Sequence, residues 1–282
     1  MTGHKPCVGR FLRVSSVILW LCLLVPLSPP VSACAAETAS TNTASTGKSA
    51  VTFTNLLARA DAATKHKDVP GAIKWLKSAD AAAVGNSAEL CIVTHRYCDV
   101  MFFTTAPDLQ KQLAQTSLDC AQRALAADPK NPTAHLCVAI CYAKNFPYVD
   151  NRTEVKWSKA IKTEAETAIA LDPKLDLGYY LLGRWNYDTA NINFVLRGLV
   201  RLIYGGLPPA STEAAIKNYQ KAIALVPGRI LTHLALAHAY QTTGQTKLAI
   251  TELKNCATLK PLDLDDTAAQ KDAAALLSKI AP

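Results

Sequence analysis

Residues 231–261, LTHLALAHAYQTTGQTKLAITELKNCATLKP, contain the pattern that decides the fold. Apolar residues spaced three or four apart lie on either side of Gly244, and this spacing places each run on one face of an α-helix. Ala237 and Ala249 are small enough to let two such helices approach closely. Pro261 ends the second helix, because proline lacks an N–H group and restricts the residue before it. The stretch therefore predicts an antiparallel pair of helices.

The second helix of this pair has three counterparts upstream. Alanine-rich runs end at Pro129, Pro173 and Pro227. From Pro129 to Pro261, these successive helix-ending prolines are 44, 54 and 34 residues apart. Extra residues therefore separate the two helices of the middle units. Matching first helices are predicted at 90–97, 136–142 and 179–187, and an earlier pair at 53–86. The sequence thus predicts an array of unequal helix pairs.

This organisation resembles the tetratricopeptide repeat, a helix pair with a period of 34 residues. The resemblance implies an all-α fold, a tetratricopeptide-like right-handed superhelix of antiparallel helix pairs with a C-terminal capping helix. Residues 263–280 are predicted to form that capping helix, because a repeat array needs a terminal helix to cover its last apolar face. Asp265 or Asp266 is the expected N-cap, since Asp side chains accept hydrogen bonds from the first N–H groups of a helix.

Three further segments resemble the regulator of microtubule dynamics family. They are DPKNPTAHLCVAICYA at 128–143, LLGRWNY at 181–187 and GLPPASTEAAIKNYQKAIALVP at 206–227. The resemblance covers residues 53–280 and implies a non-enzymatic interaction domain, which in animals is associated with microtubules and organelle membranes. It also leaves open a microtubule-dynamics regulator anchored at an organelle membrane through an uncleaved N-terminal segment.

The N-terminus has the three-part pattern of a secretory signal peptide. Three basic residues precede an apolar run at 14–25, which is followed by prolines and by Val-Ser-Ala-Cys ending at Cys34. This run of 12 residues, two of which are serine, is too short to span a bilayer. The ending resembles the lipobox of bacterial lipoproteins, which makes Cys34 a candidate lipidation site, although cleavage without lipidation explains the same residues. We therefore expect an exported protein, either periplasmic or anchored to the membrane as a lipoprotein.

Three segments follow from this N-terminus. Residues 1–34 are predicted to be the signal peptide, and 35–52 a flexible tether rich in Ala, Ser and Thr, which has too little apolar surface to offset its ordering entropy. Residues 53–282 are predicted to be the tetratricopeptide-like domain.

Charge and motif content argue against several function classes. The chain has 30 Lys and Arg against 22 Asp and Glu, a spread excess that does not indicate nucleic-acid binding. It contains no P-loop, G-x-G-x-x-G, H-E-x-x-H or G-x-S-x-G motif, and no C-x-x-C pair. The sequence therefore predicts no enzyme activity, no catalytic residue, no cofactor and no metal site.

Six cysteines lie in the predicted folded part. Cysteine behaves as a small buried hydrophobe, so packing in the repeat core is the first explanation. Cys91 and Cys98, and likewise Cys137 and Cys141, lie on the first helices of neighbouring units, which leaves a disulfide between units open in an oxidising compartment. The full set is Cys91, Cys98, Cys120, Cys137, Cys141 and Cys256.

A ligand-binding groove is expected along the first helices of the repeats. Tetratricopeptide-like folds line such a groove with the second, fifth, ninth and twelfth residues of each first helix. These positions are mostly apolar here and lack the Lys and Asn set that clamps acidic peptide tails. The predicted binding residues are Leu136, Ile140, Tyr180, Arg184, Tyr187, Leu234 and His238. Arg184 has an alternative role, because Asp188 follows at i+4 and could pair with it.

The predicted function is therefore an exported, non-enzymatic interaction scaffold that binds a protein or peptide partner through a largely apolar superhelical groove. A carrier of a lipid or apolar small molecule in the same groove is the alternative; a closed apolar pocket near Tyr180, Arg184 and residues 192–204 would favour it. That insert, within residues 192–209, is too apolar for a solvated surface helix. We expect it either to pack across the superhelix or to dock on a membrane or partner.

Overall fold

The computed structural model describes residues 45–281, with side chains described from residue 52, and within this range it contains α-helices and no strand. A short 3₁₀ helix, Phe146–Tyr148, follows α5. The α-helices are α1 (Ser45–Lys65), α2 (Val69–Ala82), α3 (Ser87–Met101), α4 (Pro107–Ala127), α5 (Pro132–Asn145), α6 (Asn151–Leu171), α7 (Asp176–Ala190), α8 (Phe194–Tyr204), α9 (Thr212–Leu225), α10 (Ile230–Thr242), α11 (Thr246–Thr258) and α12 (Leu264–Ile280).

The helices pack in five antiparallel pairs. The pairs are α1 with α2, α3 with α4, α5 with α6, α7 with α9, and α10 with α11, while α12 packs on α10 and α11 as the terminal helix. First helices of successive units also contact one another, α3 with α5 and α7 with α10. This is the predicted tetratricopeptide-like right-handed superhelix with a C-terminal capping helix, and the fold class is confirmed.

Proline and alanine act as the sequence indicates. The helices before Pro129, Pro173 and Pro227 end two residues earlier, at Ala127, Leu171 and Leu225. The small residues on their inner faces are buried, which keeps the two helices of each pair close. The buried residues of these second helices include Ala121, Ala124, Ala165, Ala168, Ala215, Ala222 and Ala249.

Both ends of the folded part differ from the prediction. Helix α1 begins at Ser45, ahead of the predicted boundary at residue 53, because extending a helix already held by packing costs little compared with starting one. At the other end, the N-cap of α12 is Asp263, whose carboxylate accepts from the N–H of Asp266 at 2.9 Å. Asp265 and Asp266 instead lie in the first turn and are buried.

The α7–α9 pair holds an especially close contact at Gly183. A Cβ at this position would lie 2.7 Å from Cε1 of Tyr219 and 3.3 Å from the carbonyl oxygen of Ala215. Glycine therefore lets the buried Tyr219 ring pack directly on the α7 backbone. This contact fixes α7, which carries Arg184 and Tyr187, against its partner helix.

Helix α8 is the insert that lengthens this unit. It packs on the core through Leu196 and Val200, and it rests on α6. The left-handed Gly205 ends it, with Gly206 N–H donating to the carbonyl of Val200 at 3.1 Å. The prediction that the insert packs across the superhelix therefore holds for one face of α8, and its other face is exposed.

Candidate functional site on the first helices

The predicted groove residues fall into two groups. Leu136, Ile140, Tyr180 and Leu234 are buried in the core, because neighbouring first helices and α12 pack over them. Arg184, Tyr187 and His238 are partly accessible. The apolar part of the predicted groove is thus covered by the chain itself in this structure, and a binding role for these seven residues stays a prediction.

Arg184 and Asp188 form the ion pair that their spacing on α7 permits. Nε of Arg184 lies 2.7 Å from Oδ2 of Asp188. Burial alone would lower the pKa of Arg184, but the charge of Asp188 outweighs it and raises that pKa. Burial raises the pKa of Asp188, opposed by Arg184. The pair lies beside Tyr180 and His238, and a binding role for Arg184 stays a prediction.

The next first helix joins this group at α10. The hydroxyl of Tyr187 lies 2.8 Å from that of Thr242, a hydrogen bond in which either group can donate. Burial, followed by the charge of Arg184, lowers the pKa of His238 and keeps its imidazole neutral at pH 7. The α7 and α10 faces therefore present one cation, one carboxylate and a neutral imidazole.

A second charged group lies on α1 and α3. Nε of Arg96 lies 2.6 Å from Oδ1 of Asp61, and its Nη1 lies 3.4 Å from Oδ2 of Asp99. Burial raises the pKa of Asp99 to about 6, with Arg96 and Lys144 opposing this rise. Burial also lowers the pKa of His95 to about 3, so this imidazole stays neutral.

Asp265, at the start of α12, links the two groups. It is buried, and neither carboxylate oxygen has a hydrogen-bond partner among the described residues. Burial raises the pKa of Asp265 to about 8, opposed by the positive charge of Lys144 on α5 and reinforced by the negative charges of Asp263 and then Asp99. Burial likewise raises the pKa of Tyr180 to about 12, and the charge of Asp265 contributes to that rise. These interactions place the first turn of α12 across from α3, α5 and α7.

The inner faces of the first helices and the first turn of α12 therefore form one polar group, which we call the inner polar cluster. Its carboxyl groups outnumber its cations, and the pKa values of Asp99 and Asp265 are strongly raised because burial outweighs the positive charges near them. The cluster consists of Asp61, His95, Arg96, Asp99, Lys144, Arg184, Asp188, His238 and Asp265.

Sequence reasoning places Asp61, His95, Arg184 and His238 at groove positions and pairs Asp188 with Arg184, but it does not single out Arg96 or Asp99. It marks Asp265 only as a candidate N-cap, and it does not single out Lys144 as a cluster member. Lys144 could have been identified by also considering the residues next to the groove positions, because it directly follows one of them. No local signal places Asp265 opposite α3 and α5, because that approach depends on the curvature of the whole superhelix.

The six cysteines of the folded part are buried free thiols. Two pairs face each other between neighbouring first helices: Sγ of Cys137 lies 4.0 Å from the carbonyl oxygen of Cys91, and hydrogen bonding with Cys141 lowers the pKa of Cys98. Burial raises the pKa of Cys120 and of Cys256 to about 12. The thiols therefore serve as core residues in this structure, and the neighbouring pairs are those that the sequence left open for a disulfide.

Two tryptophans pack against neighbouring helices. Trp185 is buried and donates from Nε1 to the carbonyl of Ser158 at 2.8 Å, and Trp157 stacks on Tyr142 with ring centroids 4.9 Å apart.

Within residues 45–281, no group of three or more His, Cys, Asp or Glu side chains is arranged to hold a metal ion. Helices long and apolar enough to cross a bilayer are also absent from this range. Cys34 and the predicted signal peptide lie outside the described residues.

Solved structures support the class of protein that these helix pairs define, a tetratricopeptide-repeat protein. A thermophilic TPR protein from Thermus thermophilus superposes with a TM-score of 0.54 at 15% sequence identity, covering 79% of this chain and 99% of that one. At this identity the likeness shows the fold alone.

The family is shown by sequence. The model of the family described as regulator of microtubule dynamics protein 1-3 matches residues 56–281, and the chain belongs to that family. It is 29% identical over 166 residues to regulator of microtubule dynamics protein 3 of Xenopus laevis, covering 58% of this chain and 36% of the relative. It is 25% identical over 188 residues to regulator of microtubule dynamics protein 2 of Homo sapiens, covering 65% of this chain and 45% of that relative. The chain thus spans less than half the length of these two relatives.

Proposed function

We propose that this protein is a non-enzymatic scaffold that binds a segment of a partner protein along the inner polar cluster. A tetratricopeptide-like fold supports a protein-interaction role in general, since stacked helix pairs form an extended inner surface. The observation that carries the proposal is the buried Asp265 carboxyl group without a hydrogen-bond partner among the described residues, on a cluster in which carboxyl groups outnumber cations. Native proteins keep such costly groups mainly where they serve a function.

The chemistry of the cluster selects a cationic partner group. A Lys or Arg side chain entering between α1 and α3 meets Asp61 first, whose side chain is 43% exposed, and then Asp99. Its positive charge adds to that of Arg96 and Lys144, which do not offset the burial of Asp99 and Asp265 by themselves. Charge-assisted hydrogen bonds of this kind are about twice as strong as neutral ones. The partner is therefore a protein segment that presents a basic side chain.

A positional-scanning library of synthetic twelve-residue peptides, with the central residue fixed as Arg, Lys, Gln or Glu, tests this proposal on the purified full chain. We expect binding by the Arg and Lys pools, with at least tenfold weaker binding by Gln and Glu pools. Asp99→Asn should reduce the preference for Arg, whereas Asp119→Asn, on the exposed face of α4, should not. Equal binding of all four pools, or a loss caused by the control variant, would overturn the proposal.

The export of this scaffold is a separate part of the proposal. The basic, apolar and small-residue pattern ending at Cys34 supports secretion, with lipidation of Cys34 as a membrane tether. Intact-mass analysis of membrane and soluble fractions from the native host tests it. A start at Cys34 with acyl mass supports a lipoprotein, and an unmodified start just after Cys34 supports a soluble exported form. An intact Met1 contradicts export.

Family membership favours a second candidate function. The curated relatives are named as regulators of microtubule dynamics, which makes a microtubule-related regulatory role a candidate for this chain. Co-sedimentation of the purified full chain with taxol-stabilised microtubules tests it, with bovine serum albumin as the unbound control. Saturable pelleting would support this role and remove the argument for export, while pelleting at the albumin level would contradict it.

The cavity beside α8 does not match the pocket that would favour a lipid carrier. The cavity beside α8 has a volume of about 390 Å³ and is lined by Ile192, Arg197 and Val200 together with residues 205–210. Neither Tyr180 nor Arg184 lines it, so this cavity is not the predicted closed apolar pocket. The scaffold function therefore remains the one that the structure supports best.

A further inference from the structure

Helix α8 presents an apolar face that nothing in the described chain covers. Its residues Leu196 and Val200 point into the core, whereas the side of the helix between Phe194 and Ile203 points away from it. The four large apolar residues on that side are Phe194, Val195, Leu202 and Ile203, with 87%, 65%, 83% and 61% of their surfaces exposed.

This concentration is unlike the rest of the surface. Ten large apolar side chains are exposed in the part of the chain that the structure describes, and four of them lie on this helix of 11 residues. Single exposed apolar residues are ordinary in soluble proteins, but a contiguous apolar face indicates an interaction site. We call the face formed by Phe194, Val195, Leu202 and Ile203 the α8 apolar face.

Basic side chains border the α8 apolar face along one edge. Arg197 and Arg201 follow one turn apart on the same helix, next to the line of Phe194 and Leu202. Arg197 donates from Nη2 to the carbonyl oxygens of Thr189 at 3.2 Å and Ala190, which anchors α8 to the C-terminal end of α7. The Arg201 side chain is exposed at the same edge.

A second set of basic side chains borders the opposite edge. Arg152, Lys156 and Lys159 of α6 line an open cavity of about 690 Å³ together with Ile203 and Tyr204. Lys159 donates from Nζ to the carbonyl of Tyr204 at 3.3 Å, which holds α6 against the end of α8. The sequence contains no Asp or Glu between positions 188 and 213, and Glu154 of α6 is buried. Within this described stretch, the apolar face therefore has cations on both sides and no exposed carboxylate between them.

From this arrangement we infer that α8 docks on the surface of an anionic lipid bilayer. The α8 apolar face enters the boundary between headgroups and acyl chains, while the flanking Arg and Lys side chains contact lipid phosphates. Lys and Arg suit this position because their long stems cover apolar surface while their charged ends stay in the headgroup layer. The helix then lies in the plane of the membrane without crossing it.

Charge and size argue against a second copy of the chain as the occupant. Two α8 faces brought together would also bring Arg201 and Lys156 of both copies together, and like charges in contact destabilise an interface. A helix of 11 residues is about 16 Å long, and its exposed side is far smaller than the roughly 800 Å² per partner that stable protein interfaces bury. Binding to a bilayer does not require an interface of this area, because the charge of anionic lipids adds electrostatic attraction to the apolar contact.

Vesicle co-sedimentation of the full chain tests this inference. The vesicles contain either phosphatidylcholine alone or phosphatidylcholine with 30 mol% phosphatidylglycerol. We expect stronger binding to the anionic vesicles that weakens with salt, and at least tenfold weaker binding for L202E/I203E. The matched control is V84E/L262E, which makes the same change at positions 75% and 55% exposed but remote from α8. Circular dichroism of each variant checks that these exposed substitutions leave the helices intact.

A local reporter separates α8 from any contribution of the N-terminal segment. Phe194→Trp places an indole on the α8 apolar face, and Val84→Trp places one on an exposed site elsewhere. With anionic vesicles, the additional emission of Phe194→Trp should shift to the blue and be quenched by brominated acyl chains, while that of Val84→Trp should not. Equal behaviour of the two reporters would overturn the inference. A blue shift that follows protein concentration without vesicles would also overturn it and indicate self-association.

Discussion

Arg229 and Asp176 form a buried ion pair that joins α10 to α7, with Nε and Oδ2 only 2.6 Å apart. The same guanidinium reaches Oδ2 of Asp263, the N-cap of α12, at 3.3 Å. One side chain thus connects two successive first helices and the capping helix. The register of the C-terminal units, and with it the position of Asp265, depends on this contact.

Replacing Arg229 should therefore be strongly destabilising. Arg229→Ala leaves the Asp176 and Asp263 carboxylates without their cation in a buried site, and breaking such a pair costs about 3–5 kcal/mol. Lys162→Ala removes an exposed i,i+4 pair with Glu166 and should cost less than about 1 kcal/mol. Urea denaturation followed by circular dichroism measures both. Similar midpoints for the two variants would contradict a central role for Arg229.

Replacement by alanine should have opposite effects on stability at Gly183 and at Gly198. Gly183→Ala should destabilise the protein by about 1–3 kcal/mol, because the new Cβ meets the Tyr219 ring at 2.7 Å. Gly198 lies within α8 with no atom near enough to meet a Cβ, so Gly198→Ala should stabilise by about 0.5–1 kcal/mol through helix propensity. Differential scanning calorimetry compares them. A Gly183→Ala variant as stable as the parent protein would show that the α7–α9 contact is not tight.

The fold could be predicted largely from local signals. Helix ends follow from prolines such as Pro129 and Pro227, and helix pairing follows from alanine faces, because each depends on residues close in sequence. Arg184 with Asp188 was also predictable, since i,i+4 spacing alone sets their distance. The inner polar cluster as a whole was not, although Asp61 occupies a predicted groove position, because Lys144 and Asp265 approach it only through the stacking of six helices. Apolar groove positions were predicted as accessible, whereas the tight stacking buries them.

Three cysteines of the repeat domain, Cys120, Cys141 and Cys256, should be unreactive in the native protein. Thiolates are the reactive species, and burial raises the pKa of Cys120 and Cys256 to about 12 and that of Cys141 well above its usual range. Iodoacetamide at pH 8 should therefore leave these three thiols unlabelled in buffer and alkylate them in urea. Peptide mapping by mass spectrometry resolves each position. Rapid native labelling of Cys256 would contradict its burial.

His233 should make stability depend on pH. Its Nδ1 lies 2.6 Å from Oε2 of Glu252, and burial alone would lower the pKa of His233. The hydrogen bonds to Glu252 and to the Pro227 carbonyl outweigh burial and raise it. A raised pKa contributes stability that is fully present below the unfolded pKa near 6.5 and is lost as pH rises through the folded pKa.

Glu252→Gln tests this linkage by removing the charge while keeping the side-chain size. The variant should lose about 1–2 kcal/mol relative to the parent protein at pH 6 and less at pH 9. Asp119→Asn, an exposed carboxylate on α4, serves as the control and should show little dependence on pH. Thermal denaturation across this range provides the measurement. A constant difference for Glu252→Gln would mean that His233 is not charged in the folded state.

Asp265 should make the free energy of unfolding fall as pH rises. An acidic residue whose pKa is lowered by folding has the opposite effect. Its pKa is raised from 3.8 to about 8, mainly by burial, so keeping this carboxyl ionised in the folded protein is unfavourable. Stability is therefore lost between pH 4 and pH 8, where the unfolded chain releases this proton and the folded protein retains it. Asp265→Asn cannot ionise and should gain melting temperature over the parent protein, with a gap that widens up to about pH 8.

The same variant connects stability to binding. If the inner polar cluster receives a cationic side chain, Asp265→Asn should raise the melting temperature and at the same time weaken binding of the Arg-centred peptide pool. A purely structural carboxyl group would change stability without changing the preference for Arg over Gln. Because all other titrating groups are common to both proteins, the difference between their melting curves isolates Asp265. A gap that does not change with pH would show that this carboxyl group is hydrated, and the charge argument for a basic partner would then fail.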